Sequence, residues 1–398
     1  MTQSFAADFQ KSIASLDPKD TLFATRFVDA LLASAKSIGA SDIHIQPSQL
    51  QLRVSWRLDG VLHPVGTWPV EVAPNVVARL KVLASLLTYR TDVPQEGRIP
   101  SAADVEMRLS TIPVVGGEKA VVRIFGVGKQ LQRWTDLQFP DDITSHAMRI
   151  LAATSGAWII AGPAGSGKTT SLYACMRELA STSRGARSLC SIEDPVEISL
   201  ENVAQSQVNL KAGFDLANAL KSLMRQDPEV IMVGEIRDRA TAETLLEASL
   251  TGHLVLTSFH AGSAAGAINR LQDMGIEPYI LRSGILAIQC QRLVRQLCRC
   301  SLQGEGEAGK LGLNVQNFRV SAGCPECSMT GYQGRRVLAE LLPLDNEDVG
   351  QAVLDRREAA SLQAIAVKSG MIPLLDRARQ AVEQCLTAPA EVRRVFGV

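Results

Sequence analysis

The chain has 398 residues, with 41 Lys plus Arg against 41 Asp plus Glu and an apolar fraction of 46%, which is long enough for roughly two or three domains and ordinary for a soluble globular protein. A net charge of zero gives no support to a general nucleic-acid-binding or anionic-membrane surface. No apolar run approaches the ~20 residues of a membrane span, and the opening MTQSFAADFQ lacks the basic segment and apolar stretch of a signal peptide, so a cytosolic chain with reduced cysteines is expected.

Residues 1–20 are polar and weakly patterned and read as a flexible lead-in. Over 21–37, Leu22, Phe23, Phe27, Leu31 and Leu32 fall at helical spacing, and Gly39 ends the helix. DIHIQP and LQLRVSWRLDG alternate apolar and polar residues as half-buried strands do. Residues 74–89 are helical again, the Pro/Gly-punctuated VPQEGRIP follows, and VEMRLSTIP and AVVRIFG are strand-like. The block 21–128 therefore reads as a small α+β domain, and 129–142 as a linker ending in FPDD. From 143 onward strand–loop–helix repeats, with strands at AWIIAG, LCSIED, EVIMVGE and HLVLTSF. That alternation predicts an α/β fold, a mainly parallel sheet with helices on both faces. It carries a cysteine-punctuated module at 296–335 and helices over 336–398.

Gly162-Pro163-Ala164-Gly165-Ser166-Gly167-Lys168-Thr169 fits G-x-x-x-x-G-K-[ST], follows an apolar strand and opens the helix TTSLYACMREL with Thr170 in its first turn. Glycines let backbone N–H groups turn toward phosphate oxygens, and the helix N-terminus adds partial positive charge. Lys168 is expected to reach the β/γ-phosphates and the Thr169 hydroxyl to ligate Mg²⁺, so ATP and Mg²⁺ are the expected ligands. A chance Gly-rich turn is the alternative, and the strand and helix in their required places argue against it.

Hydrolysis also needs a positioned water. Glu235 stands past the apolar strand Val230–Val233 and Gly234, at the strand end where open α/β sheets bind ligands. Glu193, followed by Asp194 and Pro195, ends another short strand. Glu235 is the first candidate for polarising water and Glu193 the second; taken singly, each reads first as a solvated loop charge, and the pair of such sites on strands flanking the phosphate loop reverses that reading. His253 and His260 bracket the strand LVLTSF, and either is a candidate sensor of the γ-phosphate or a structural histidine.

These motifs, in this order, make the chain resemble the type II secretion and type IV pilus assembly ATPases. SDIHIQP, WRLDG, QEGRIP, RLSTIP and GEKAVVRI lead to GPAGSGKTT, the family's Walker A. IEDPVEI resembles its Asp box, RQDPEVIMVGEIRD its Walker B and TGHLVLTSFHAGSAAGAINRL its His box, and QRLVRQLC with paired cysteines completes the series. The resemblance runs from about residue 25 to the C-terminus. It implies a PAS-like N-terminal domain and a RecA-like motor that hydrolyses ATP as a homo-hexamer. Such a motor is peripheral at the inner membrane, where it drives a platform protein to assemble a pilus or pseudopilus. It implies no nucleic-acid partner and no span of its own. Arg98 in QEGR and Arg108 in RLST match family arginines directed at nucleotide phosphate, with Arg57 and Arg123 as weaker candidates; a sheet salt bridge is the alternative for each. Ala164 replaces the family's Thr where only backbone is needed. The chain starts without the family's extra N-terminal domain, which leaves recruitment to the lead-in or to the platform protein. Other readings are a pilus-retraction ATPase, whose family members generally lack the paired cysteines, a conjugation-type secretion ATPase, and a nucleotide-gated scaffold with little turnover.

Cys298-Arg-Cys300 and Cys324-Pro-Glu-Cys327 resemble a structural zinc ribbon or knuckle. The family usually has C-x-x-C in both pairs, and the shorter first pair is tighter for two ligands on one Zn²⁺; reduced cysteines without metal are the alternative. Cys175, Cys190, Cys290 and Cys385 read as buried small apolar residues.

Overall fold

The computed structural model describes residues 6–100, 106–125 and 133–397, and the expected domain end and the start of the expected linker fall partly outside them. The chain divides into two compact units. The first runs to Gln130 and takes in Cys298–Ser301 and Ser321–Gly334; the second holds Leu131–Leu297, Leu302–Val320 and Arg335–Val398.

The first unit opens with α1 (Ala7–Ile13) and α2 (Phe23–Ser37), then β1 (Asp42–Pro47), β2 (Gln51–Leu58), β3 (Val61–Pro69), α3 (Ala73–Leu83), β4 (Gln95–Ile99), β5 (Met107–Val114) and β6 (Gly117–Ile124). The strands form one sheet in the order β3-β2-β1-β6-β5-β4. Its apolar face, with Ile43, Ile45, Val54, Trp56 and Val122, packs under Phe27, Leu31, Val76 and Leu80 of α2 and α3. The lead-in expected over 1–20 is corrected here. Phe9 of α1 is fully buried, with ring centroids 5.5, 5.7 and 5.9 Å from those of Phe27, Trp56 and Trp68. The Gln10 amide donates to the Val65 carbonyl at 2.7 Å. A helix of seven residues carries too little periodicity to be read from sequence, yet one aromatic side chain suffices to dock it.

The second unit contains α4 (Asp141–Leu151), β7 (Gly156–Ala161), α5 (Lys168–Ser183), β8 (Leu189–Glu193), β9 (Ala204–Gln207), α6 (Leu216–Leu223), β10 (Val230–Val233), α7 (Arg239–Leu250) and β11 (Leu254–Phe259). It continues with α8 (Ala264–Asp273), α9 (Pro278–Gly284), β12 (Ile285–Leu297), β13 (Leu302–Gln303), α10 (Gly306–Lys310), β14 (Arg319–Val320) and, from Arg335 on, β15 (Tyr332–Pro343). Helices α11 (Glu347–Leu354), α12 (Ala359–Lys368), α13 (Leu374–Glu383) and α14 (Pro389–Phe396) close it. Among the described residues the main sheet has the order β15-β12-β7-β11-β10-β8-β9, and β12, β7, β11, β10, β8 and β9 pair in parallel. Two apolar clusters cover its faces, one around Ile159, Val233 and Phe259 and the other around Trp158, Ile160 and Met232, as alternating side chains of a doubly covered sheet require.

Three boundaries differ from the sequence reading. The helical tail expected over 336–398 starts instead with β15, which lasts to Pro343 before the first helix forms. The described part of the expected linker is core: Trp134 is buried, stacks on Phe139 with ring centroids 4.7 Å apart, and lies 5.6 Å from Trp158. The four cysteines, expected inside the motor domain, belong to the first unit, where the Asp59 carboxylate accepts the Gly334 N–H at 3.0 Å. Cys175, Cys190 and Cys290 are buried, whereas Cys385 is only half-buried.

Replacing Phe9 with Ala should destabilise the first unit by about 3–5 kcal/mol, the usual cost of emptying a buried aromatic site. Chemical denaturation of the purified chain measures it, and an unshifted transition would show that the N-terminal helix does not carry the core.

Candidate functional site

Parallel pairing sets the C-terminal ends of β7, β11, β10 and β8 side by side, so the loops leaving Ala161, Phe259, Val233 and Glu193 share one edge. The loop after β7 is the predicted phosphate loop. Gly162 has φ 150°, and a Cβ there would lie 2.5 Å from both the Gln291 carbonyl oxygen and Ser166 Oγ. Gly167, the N-cap of α5, has φ 88° and no side-chain capping bond. The first N–H groups of α5 are therefore left for a ligand, which is how helix termini bind phosphate. Lys168 is buried, and its Nζ donates to the Gly162 and Pro163 carbonyls at 3.0 and 3.2 Å. Burial lowers its pKa, and the charge of Glu235 acts in the opposite sense. Ser166 Oγ is buried without a hydrogen-bond partner. An ammonium held by loop carbonyls, an unsatisfied hydroxyl and open N–H groups fit a polyphosphate. Thr169 is half-buried in the first turn of α5, while Thr170, Pro163, Ala164 and Gly165 are exposed.

Gly234, tied by its N–H to the Ile192 carbonyl (2.9 Å) and by its own carbonyl to the Ser258 hydroxyl (2.7 Å), presents Glu235. Glu235 Oε1 lies 3.6 Å from His260 Nε2 and 3.4 Å from Arg237 Nε. Arg237 also donates to Asp194 Oδ2 at 2.8 Å, a link the sequence reading missed because the two residues follow different strands. Arg270 donates to the His260 carbonyl and lies 5.2 Å over the Phe259 ring. His253 sits at the other end of β11, where its Nδ1 lies 3.0 Å from the Ala248 carbonyl, so the two histidines part company.

Glu193 differs from Glu235. It is 3% exposed, and it accepts hydrogen bonds from the Tyr173 phenol, from Ser191 Oγ at 2.6 Å and from Gln205 Nε2 at 3.0 Å. The Tyr173 oxygen in turn accepts the Glu197 N–H at 3.0 Å, and burial followed by the Glu193 carboxylate raises the phenol's pKa. Neither Tyr173 nor Gln205 was legible in sequence, because both act only through the fold.

In the first unit the four candidate arginines lie in one row. Across the sheet Arg57 faces Asp42, Asp42 faces Arg123, Arg123 faces Arg108 and Arg108 faces Arg98. Asp42 pairs with Arg57 and Arg123 at 3.5 and 3.0 Å; Glu106 pairs with Arg98 and Arg108 at 3.4 and 2.9 Å. The side chains of Arg98 and Arg123 stay 72% and 65% exposed.

The sulfurs of Cys298, Cys300, Cys324 and Cys327 all lie within 4.8 Å of one another. The separations Cys298–Cys324 and Cys300–Cys327 are 3.8 Å and Cys324–Cys327 is 3.7 Å. A tetrahedron of sulfurs at the usual Zn–S length of ~2.3 Å has edges of about 3.8 Å, so the donor set fits zinc. The C-x-C pair reaches because the chain turns at Cys298, whose carbonyl accepts the Ser301 N–H at 3.0 Å. Burial pushes the Cys327 thiol up, but N–H groups of Cys324 and Gly331, each 3.2 Å from the sulfur, bring it down to about 6, favouring the thiolate that binds metal.

Residues 17–394 match the family model described as Type II/IV secretion system protein. The type IV pilus assembly ATPase PilB of Thermus thermophilus is 36% identical over 385 residues, 94% of this chain and 43% of that protein. The type IV pilus assembly ATPase TfpB of Acinetobacter baylyi is 35% identical, covering 93% of this chain and 65% of that protein. The chain thus spans less than two thirds of both. Type II secretion system protein E of Klebsiella pneumoniae is 38% identical over 83% of this chain and 68% of its own length. The Legionella pneumophila ATPase DotB superposes with a TM-score of 0.69 at 22% identity, over 94% of this chain and 96% of that one. The pilus retraction motor PilT with bound ADP does so with 0.61 at 20% identity, over 92% and 95%. These likenesses show the fold, a RecA-like ATPase domain preceded by a smaller α+β domain. By the family model and the shared identity, the chain belongs to the type II/IV secretion system protein family.

Proposed function

We propose that this chain is an ATP-hydrolysing motor that works as a homo-hexamer and powers assembly of a type IV pilus or a type II secretion pseudopilus. The observation that carries this reading is the buried Lys168 ammonium, held by loop carbonyls beneath open helix N–H groups, with Glu235 and His260 on the same sheet edge. The two pilus relatives are both type IV pilus assembly ATPases by name. Among the described residues no helix is long and apolar enough to cross a membrane, so we place the chain in the cytoplasm, where a platform protein of the inner membrane recruits it.

In the reaction Lys168 exchanges its carbonyls for the β/γ-phosphate oxygens, and the loop Gly162–Thr170 cradles the remainder. Mg²⁺, when bound with nucleotide, neutralises charge on the phosphate oxygens, and the Thr169 hydroxyl would hold it. Glu235 is the carboxylate that orients and polarises water, because among the described residues its Oε1 makes only long contacts, to Arg237 and His260. Glu193 is already engaged by three donors and keeps the β8 loop and Tyr173 in place. His260 hydrogen-bonds near the γ-phosphate. The row of Arg98, Arg108, Arg123 and Arg57 supplies guanidinium groups that neutralise phosphate charge. Cys298, Cys300, Cys324 and Cys327 would hold a Zn²⁺ that fixes the chain locally and leaves no open position for chemistry.

Lys168→Ala should lower ATP turnover at least about a hundredfold, the usual scale for losing a preorganised charge at a reacting group, in a phosphate-release assay on folded protein. Wild-type turnover in that variant would overturn the site. Tight ATP binding by the wild-type chain without turnover, alone or with its platform protein, would mark a nucleotide-gated scaffold instead.

The purified chain should carry about one equivalent of zinc, since the site is closed and tetrahedral. Elemental analysis should show that equivalent lost in Cys300→Ser, together with a lower Tm. Metal-free wild-type protein with an unchanged Tm after zinc addition would rule the metal out.

A further inference from the structure

We infer that Gln291 is a positioning residue of the phosphate loop, whose side-chain amide holds the Ser166 carbonyl inward and thereby keeps the loop's N–H groups turned toward phosphate. This deepens the proposed function and rests on it.

Strand β12 is an unexpected place for glutamines. It lies inside the sheet, next to β7, with Gln289 opposite Ile160 and Cys290 opposite Ala161. Gln289 and Gln291 are both fully buried, and they alternate with Ile288 and Cys290, so they face the same side as Trp158, Ile160 and helix α5. Burying an amide in such a layer is unfavourable unless its hydrogen bonds are made.

The side-chain bonds of Gln291 lead to the loop, to α5 and to its strand neighbour Gln289. Nε2 donates to the Ser166 carbonyl at 2.9 Å. Oε1 accepts from Ser171 Oγ at 3.1 Å and from Gln289 Nε2 at 3.0 Å. Two donors on the oxygen and a carbonyl on the nitrogen leave one orientation for the amide. Its backbone carbonyl lies where a Cβ on Gly162 would have to stand, and its Nε2 is 3.3 Å from the position a Gly167 Cβ would take. Gly162 thus makes room for the backbone of β12, and Gly167 for the Gln291 amide. Gln289 achieves this with its own Oε1 buried and unpartnered, which a purely structural pair of strand residues would avoid.

A peptide segment that points successive N–H groups at an anion points carbonyls away from it, and those carbonyls need donors inside the protein. Lys168 supplies two, at Gly162 and Pro163, but on binding nucleotide it turns to phosphate. Gln291 is neutral and locked by Ser171 and Gln289, so its donation to Ser166 persists with phosphate bound or absent.

The test uses full-length protein in its assembled form and reads ADP and ATP affinity, kcat and KM, and the Tm of nucleotide-free protein. Gln291→Met keeps the shape and removes donor and acceptor; Gln291→Glu keeps the acceptor and removes the donor. Both should weaken ADP binding and raise KM by roughly five- to hundredfold, the equilibrium cost of stranding a buried carbonyl, while kcat at saturating ATP falls much less. Ser171→Ala, a small deletion that folds readily, should weaken binding by about three- to tenfold, the net worth of one hydrogen bond. A lowered Tm with ADP affinity and KM unchanged in these variants would overturn the inference and leave a structural role. If Gln291→Met does not fold, unchanged affinity in Ser171→Ala overturns it alone. Wild-type affinity in the Gln291 variants alongside lost binding in Lys168→Ala sinks this inference and spares the motor reading, whereas failure of the wild-type chain to bind ATP sinks both.

Discussion

Turning a run of backbone N–H groups toward an anion obliges the same peptides to turn their carbonyls inward, and the second unit is arranged around meeting that obligation. The residue that meets most of it is a cation. Lys168 is taken out of water against the preference of an ammonium, as its lowered pKa records. Two carbonyls and the distant charge of Glu235 hold it there, with no carboxylate within ion-pair distance among the described residues. A buried cation satisfied by dipoles alone is stable but poorly compensated, and a ligand bearing several negative oxygens relieves it more than any neutral ligand does. The phosphate binding proposed for the loop would draw on the same geometry that makes the loop foldable.

The parallel sheet then decides what stands near that loop. Because β7, β11, β10 and β8 are neighbours in that order, His260, Glu235 and Glu193 arrive on one edge from strands far apart in sequence. Position alone does not assign their work; hydrogen bonding does. A carboxylate with three short donors and almost no exposed surface leaves little room for a water, and that is Glu193. A half-buried carboxylate with partners at 3.4 and 3.6 Å has room for one, and that is Glu235. The sequence reading put Glu235 first on strand position alone, and the proposed roles keep that order.

What was legible in the sequence depended on whether a residue's surroundings are local. β1, β7, β10 and β11 show in the sequence because each is an apolar or alternating run beside its own punctuation. The phosphate loop shows because one glycine pattern carries the whole geometry. β12 and β15 stay hidden: Gln289, Gln291 and Arg292 interrupt the first, and Gly334, Arg335 and Arg336 interrupt the second. α1 stays hidden because Phe9 needs Phe27, Trp56 and Trp68 to explain it. The cysteines are plain as ligands, but their membership of the first unit is set by backbone contacts such as Gly334 to Asp59, which no spacing encodes.

The arginines make the same point in electrostatic terms. Read singly, Arg57, Arg98, Arg108 and Arg123 are each a surface charge or half of a sheet salt bridge, and every one of them does have a carboxylate partner. The register changes the argument. Like charges directly opposite across strands destabilise a sheet, and here Arg123, Arg108 and Arg98 stand opposite one another in succession. Two largely buried carboxylates, Asp42 and Glu106, serve all four, so the guanidinium groups outnumber the carboxylates that pair with them. Folding alone would favour Thr or Val at several of these positions. A row that keeps excess positive charge on the protein's surface at some expense to its own stability is better explained by an external anion than by the sheet. Planar guanidiniums, unlike ammonium groups, offer that anion paired donors in a fixed geometry. The phosphate-neutralising role proposed for this face therefore belongs to the row across five strands and not to any single arginine within it.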